Sequence, residues 1–112
     1  MATRASIIMK EKGKPIMAMY KHYDGYPSGL GKTLKDIIEG GKLVNGLGLK
    51  QNIGEVFNGA GCMFASIIAK LKTQPGDVYI TSLDDVGKSG EDYIYEIDVV
   101  DSEANLTQRK ND

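Results

Sequence analysis

A single cysteine among 112 residues rules out an internal disulfide, and a single histidine leaves no paired Cys or His at zinc-ligand spacing. Charge of one sign is lacking too: fourteen Lys and Arg face fifteen Asp and Glu, so no global field draws the chain to nucleic acid or to an anionic membrane. Any anion recognition has to be local. Long apolar runs are absent: none approaches the ~20 residues of a membrane span, and the N-terminal MATRASIIMK is too short and polar for a signal peptide. These absences predict a protein without a membrane anchor, working in the cytoplasm, with Cys62 as a buried, reduced thiol in AGCMFASIIAKL.

What is present begins with an apparent phosphate loop. The stretch YPSGLGKT (26–33) resembles the end of G-x-x-x-x-G-K-[ST], but the position five before Gly31 is Tyr26, and Gly25 is one residue too far. Pro27 lacks the amide proton such a loop would use. Spacing and donors therefore exclude a P-loop, and 112 residues fit one domain, 1–112, better than a nucleotide-hydrolase fold.

The pattern along the chain predicts an α+β fold of order ββααββ. ASIIMKEKGKPIMAMYKHY reads as a β-hairpin turning at Glu11 to Pro15. Leu34, Ile37 and Ile38 mark a short amphipathic helix, capped by Ser28 or Thr33 and stopped by Gly40 and Gly41. A second helix, apolar around most of its circumference, runs from Ala60 to Leu71, with Gly59-Ala60-Gly61 allowing close approach of another backbone. QPGD then leads to VYITSL, which pairs with YIYEIDVV across DDVGKSGED as a second hairpin. Residues 102–112 read as a polar tail. The expected architecture is an antiparallel sheet with both helices on one face.

Chemistry concentrates in KHYDGYPSG (21–29). Asp24-Gly25 and Pro27-Ser28-Gly29 are turn formers, and a purely structural corner accounts for them. It does not account for the aromatics, because Tyr20, Tyr23 and Tyr26 are half of the six tyrosines. A platform for a nucleobase would use them. For phosphate, the helix start at Ser28 to Leu30 with Lys32, and the glycine-rich segment around Gly54, offer amides, with Arg4, Arg109 and Lys110 as candidate clamps. Tyr95 is a candidate stacking ring and Arg109 a candidate pyrophosphate ligand. Asp84-Asp85 reads as a solvated hairpin loop rather than a metal site, because a dedicated site needs more ligands.

The run His22-Tyr23-Asp24-Gly25-Tyr26-Pro27, with Gly29, Gly31 and EDYIYEI (91–97), resembles a family of small phage and prophage proteins carrying H-x-D-G-Y-P, the first family of Thoeris anti-defence proteins. The resemblance implies a sponge: a homo-oligomer built from dimers that binds a cyclic ADP-ribose isomer, in some members also cyclic oligonucleotides, inside the host cytoplasm. It implies no cofactor and no bond cleavage. The HYDGYP segment carries over as the ligand-binding stretch, with Tyr23 placed to face the adenine. Two other readings stand beside it. One is a small nucleotide-processing enzyme using His22 and Asp24 as acid and base; the other is an inhibitor that covers a host protein with a sheet edge or its helices.

Overall fold

A computed structural model describes residues 2–44 and 56–111; Gly54, one of the predicted phosphate contacts, lies outside them. Strand β1 (Ala5–Glu11) turns at Lys12-Gly13, both with positive φ, into the antiparallel β2 (Lys14–Lys21). A wide turn at Pro27–Gly31 runs directly into helix α1 (Lys32–Glu39). Short strands β3 (Lys42–Val44) and β4 (Val56–Asn58) pair in parallel before helix α2 (Gly59–Leu71). Strands β5 (Val78–Thr81), β6 (Tyr93–Val100) and β7 (Glu103–Lys110) complete a mixed five-stranded sheet of order β5-β2-β1-β6-β7.

The α+β class holds, but the ββααββ order does not. β5 pairs with β2, antiparallel, and β6 lies parallel to β1, so the predicted hairpin between VYITSL and YIYEIDVV does not form. β6 instead makes its hairpin with β7, through Asp101 at φ 56° and Ser102. The predicted polar tail is thus an eight-residue strand over most of its length. Burial explains both departures. β6 hides Tyr95, Ile97 and Val99 on one face and Ile94 on the other, which calls for a neighbour on each side. β7 sits at an edge and needs to cover the core only with Ala104 and Leu106, so its sequence stays polar.

Alternation puts Ala5, Ile7, Met9, Met19, Tyr95, Ile97 and Val99 on the face that meets the helices. Leu30 of the turn before α1, Leu34 of α1, Phe57 of β4, and Met63, Phe64 and Ile67 of α2 close this core. Helix α2 is buried along one side only: Gly61, Cys62, Ala65 and Ala69 face solvent. Cys62 is exposed rather than buried, because its helical position lies away from the stripe formed by Ala60, Met63, Phe64 and Ile67. A Cβ added at Gly59 or Gly61 would meet nothing within 4 Å, so Gly59-Ala60-Gly61 does not serve close packing; Gly59 is used for its φ of 82°.

Because β5 and β6 flank the β2-β1 pair, the segment between them has to cross β2 and β1. Asp84 and Asp85 therefore lie in a 3₁₀ turn (Leu83–Asp85) of this crossover, not in a hairpin loop. Glu91 anchors the crossover on the face opposite the helices, accepting Ser6 Oγ at 2.7 Å and the Gly87 and Ser89 amides at 2.6 Å each. Burial pushes the Glu91 carboxyl up, yet these hydrogen bonds outweigh it and hold the group below its ordinary 4.5. A depressed carboxyl contributes stability that is complete above the unfolded pKa and is lost as pH falls through the folded one. Thermal melts should therefore stay flat between about pH 5 and 7 and decline below about 4.5, with a shallower decline in Glu91→Gln; an unchanged acid limb in that variant would contradict the assignment.

Candidate functional site

The HYDGYP segment connects the end of β2 to the turn before α1, and its residues divide into those that fix the chain and those that are presented. Gly25 is fixed. Its amide donates to the Thr3 carbonyl at 2.8 Å, its carbonyl accepts the Tyr95 hydroxyl at 2.6 Å, and a Cβ there would stand 2.8 Å from both Ala5 Cβ and the Thr3 oxygen. Asp24 turns the chain at φ 58°, a conformation Asp tolerates better than most residues, and its carbonyl accepts the Leu30 amide at 2.9 Å. The Tyr26 ring packs over Gly29, where a Cβ would come within 2.7 Å of the ring, and the Tyr26 hydroxyl reaches Asp24 Oδ1 at 3.4 Å.

A buried clamp fixes the other side of the segment. Lys21 and Asp77 form an ion pair at 2.7 Å, with side chains only 10% and 7% exposed. Asp77 also accepts the Tyr23 amide on Oδ1 at 2.9 Å and the His22 amide on its backbone oxygen at 2.8 Å. Burial raises the Asp77 carboxyl, but Lys21 and the two backbone amides together bring it below its ordinary value. Lys72 closes the adjoining turn by donating to the Gly76 carbonyl at 2.7 Å.

Held between these supports, His22 and Tyr23 project outward. Tyr23 is 49% exposed and meets the His22 ring edge-on, with centroids 4.6 Å apart. His22 Nδ1 is hydrogen-bonded to the Tyr20 hydroxyl at 2.9 Å, and Tyr20 lies 6.1 Å from Tyr79, which is 52% exposed beneath the Lys72 ammonium. Burial raises the Tyr20 phenol above its ordinary value, against the opposing pull of Arg4. The result is a partly open row of rings, Tyr79-Tyr20-His22-Tyr23, along the β2-β5 edge, each tilted or edge-on to the next.

Several predicted members lie elsewhere. Tyr95 is completely buried, its phenol pushed up to about 12 chiefly by desolvation, with nearby Tyr93 adding and the Gly31 backbone hydrogen bond opposing. Its ring lines the core and presents no face to a ligand; the alternation of Tyr93, Tyr95, Ile97 and Val99 was the signal for that place. Arg109 pairs with Glu96 at 3.6 Å and stands three strands from Tyr20 in the same cross-strand row, on the order of 14 Å away at ordinary strand spacing. The helix start is no phosphate cradle either. The Gly29 and Gly31 amides already donate to the Tyr26 carbonyl and the Leu30 amide to that of Asp24, while Thr33 Oγ1, predicted as a cap, donates to the Gly29 carbonyl. The feature that sequence reasoning missed is Tyr79, placed beside Tyr20 only by the unforeseen β2-β5 pairing.

On the other side of the loop, a groove of about 500 Å³ runs between α1 and β7, lined by Pro27, Gly31, Lys32, Lys35, Thr107 and Gln108 together with Leu106. Lys32 is engaged with Asp36 at 2.8 Å; Lys35 forms no ion pair among the described residues and supplies the groove's positive charge. Tyr95→Phe tests the loop's anchoring. It should cost about 1–3 kcal/mol in denaturant unfolding by stranding the Gly25 carbonyl. Because a raised phenol contributes stability that is lost as pH climbs through its folded value, the same variant should soften the decline above about pH 10.

No family model, curated protein or solved structure matches the chain. Among the described residues, no helix is long and apolar enough to cross a membrane.

Proposed function

We propose that the protein binds and sequesters a cyclic nucleotide-like signal, a cyclic ADP-ribose isomer or a cyclic oligonucleotide, and releases it uncleaved, so acting as a phage anti-defence sponge of the kind the HYDGYP motif resembles. The observation that carries this reading is the open aromatic row Tyr79-Tyr20-His22-Tyr23. Folding uses Asp24, Gly25 and Tyr26 to shape the turn, but half of the Tyr23 surface is left exposed on a rigidly seated backbone. A pre-set ring gives up little entropy on stacking a base, which suits tight capture. In support of holding rather than cleaving, His22 Nδ1 is hydrogen-bonded to the Tyr20 hydroxyl, and among the described residues no hydrogen bond joins His22 to Asp24. Lys35, in the groove on the other side of the same loop, supplies a cation for the ligand's phosphates.

Calorimetry with cyclic ADP-ribose isomers and cyclic di- and trinucleotides tests the reading. The expected result is heat with at least one of them, and recovery of the same molecule after thermal unfolding. Absence of heat with all of them would reject it, and a cleaved product lost in His22→Ala would move the assignment to an enzyme.

A further inference from the structure

Among the described residues, no strand pairs with the outer edge of β7. The strand pairs with β6 without a bulge from Glu103 to Lys110, has no proline, and forms one border of the sheet. The ladder continues past its end, where the Asn111 amide donates to the Asp92 carbonyl at 3.0 Å. In an antiparallel pair the bonded positions alternate, so the odd-numbered residues of β7 spend their amides and carbonyls on β6. Ala104, Leu106, Gln108 and Lys110 direct theirs outward. Edges this long are ordinarily interrupted or covered, because they template further strands.

We infer that the β7 edge pairs with the β7 edge of a second copy of this chain, antiparallel about a twofold axis through Leu106, to give a continuous ten-stranded sheet. The register follows from the side chains. Ala104, Leu106 and Gln108 pair with Val99, Ile97 and Tyr95 and share the helix-bearing face; Glu103, Thr107 and Arg109 pair with Val100, Glu96 and Ile94 and share the other. Opposed residues in an antiparallel pair lie on the same face, so a twofold axis passes through one residue and its counterpart. Centring on Leu106 sets it against the partner's Leu106 and, on the opposite face, sets Glu103 against the partner's Arg109, twice by symmetry. Arg109 is already drawn to Glu96, and its guanidinium would then lie between two carboxylates. Centring on Thr107 places Arg109 against the partner's Asn105, and centring on Gln108 places it against the partner's Thr107. Only the Leu106 register pairs opposite charges within the strand and also joins the outward-facing backbone groups. The pairing does not depend on what the aromatic row binds.

Sedimentation of the full chain tests it, from low micromolar to about 100 μM, a range that reveals dissociation constants of ordinary reversible dimers. A dimer is expected. Gln108→Pro removes an outward amide without touching the β6 ladder and should leave a monomer. Glu103→Arg and Arg109→Glu each create like-charge pairs and should weaken self-association by about tenfold or more, whereas an equimolar mixture of the two should form a heterodimer with both pairs attractive. The mixture keeps the test valid even if the proline variant fails to fold. A monomeric wild type at about 100 μM, or a dimer indifferent to all three substitutions, would overturn the inference.

Discussion

Asp77→Ala should lose about 3–5 kcal/mol of stability, because it leaves the Lys21 ammonium buried without its carboxylate. In a domain of this size that corresponds to a fall in melting temperature on the order of 10–30 °C. The loss has two further parts. Asp77 holds φ 66°, which alanine tolerates less well, and its carboxylate is the acceptor for the Tyr23 amide. Asp77→Asn separates the contributions, since asparagine accepts the left-handed conformation and can still receive one amide but cannot neutralise Lys21. Thermal melts should rank wild type above Asp77→Asn, and Asp77→Asn above Asp77→Ala. Equal melting temperatures for wild type and Asp77→Asn would mean that the buried pair contributes nothing beyond its hydrogen bonds. Replacing both partners, Lys21→Met with Asp77→Asn, should recover part of the loss of Asp77→Asn alone, because no charge is then left stranded.

Local signals in the sequence served well where one residue type decides one turn. Lys12-Gly13 marks the β1-β2 reversal, Leu34, Ile37 and Ile38 mark the face of α1, and Gly40 follows its end. The strand partners were not legible for a different reason. VYITSL and YIYEIDVV follow one another along the chain, and adjacency favours a hairpin, yet β5 contributes only Val78 to the core while β6 must be covered on both faces. The central place therefore went to the strand with more apolar surface to hide, and the connection crossed the sheet. The polar look of β7 has the same origin, since an edge strand with two inward apolar residues has no reason to carry more.

The site was legible in part, and the division follows what each residue does. Asp24, Gly25 and Pro27 were readable as turn formers because backbone geometry dictates them. Tyr23 stood out because no turn needs it, and the structure leaves it half exposed. Asp77 gave no signal, since QPGD reads as any other turn; its role arises only where the β5 start meets the end of β2, 56 residues away from its partner Lys21. Tyr95 shows how one residue type serves opposite ends: an exposed tyrosine offers a ring, while this one offers a hydroxyl from inside the core to the carbonyl of Gly25. The motif and the tyrosine-rich strand therefore work as one unit, in which β6 holds the loop from beneath.

If the proposed cyclic-nucleotide ligand stacks on the aromatic row, Tyr23→Ala should weaken its binding by about 5- to 150-fold, the equivalent of the roughly 1–3 kcal/mol that stacking one base contributes. Stability should barely change, because the side chain is 49% exposed and the Asp77 carboxylate bonds the backbone amide, which alanine retains. Tyr79→Ala should act in the same direction, since its ring continues the row on β5. Tyr23→Phe separates stacking from hydrogen bonding: near-wild-type affinity assigns the effect to the ring, whereas a loss equal to that of alanine assigns it to the hydroxyl. Cys62→Ser, on the exposed side of α2, is the matched control and should leave both affinity and melting temperature unchanged. If Tyr23→Ala and Tyr79→Ala bind as tightly as Cys62→Ser in calorimetry, the aromatic row is not where the ligand sits, and the site has to be sought in the groove between α1 and β7.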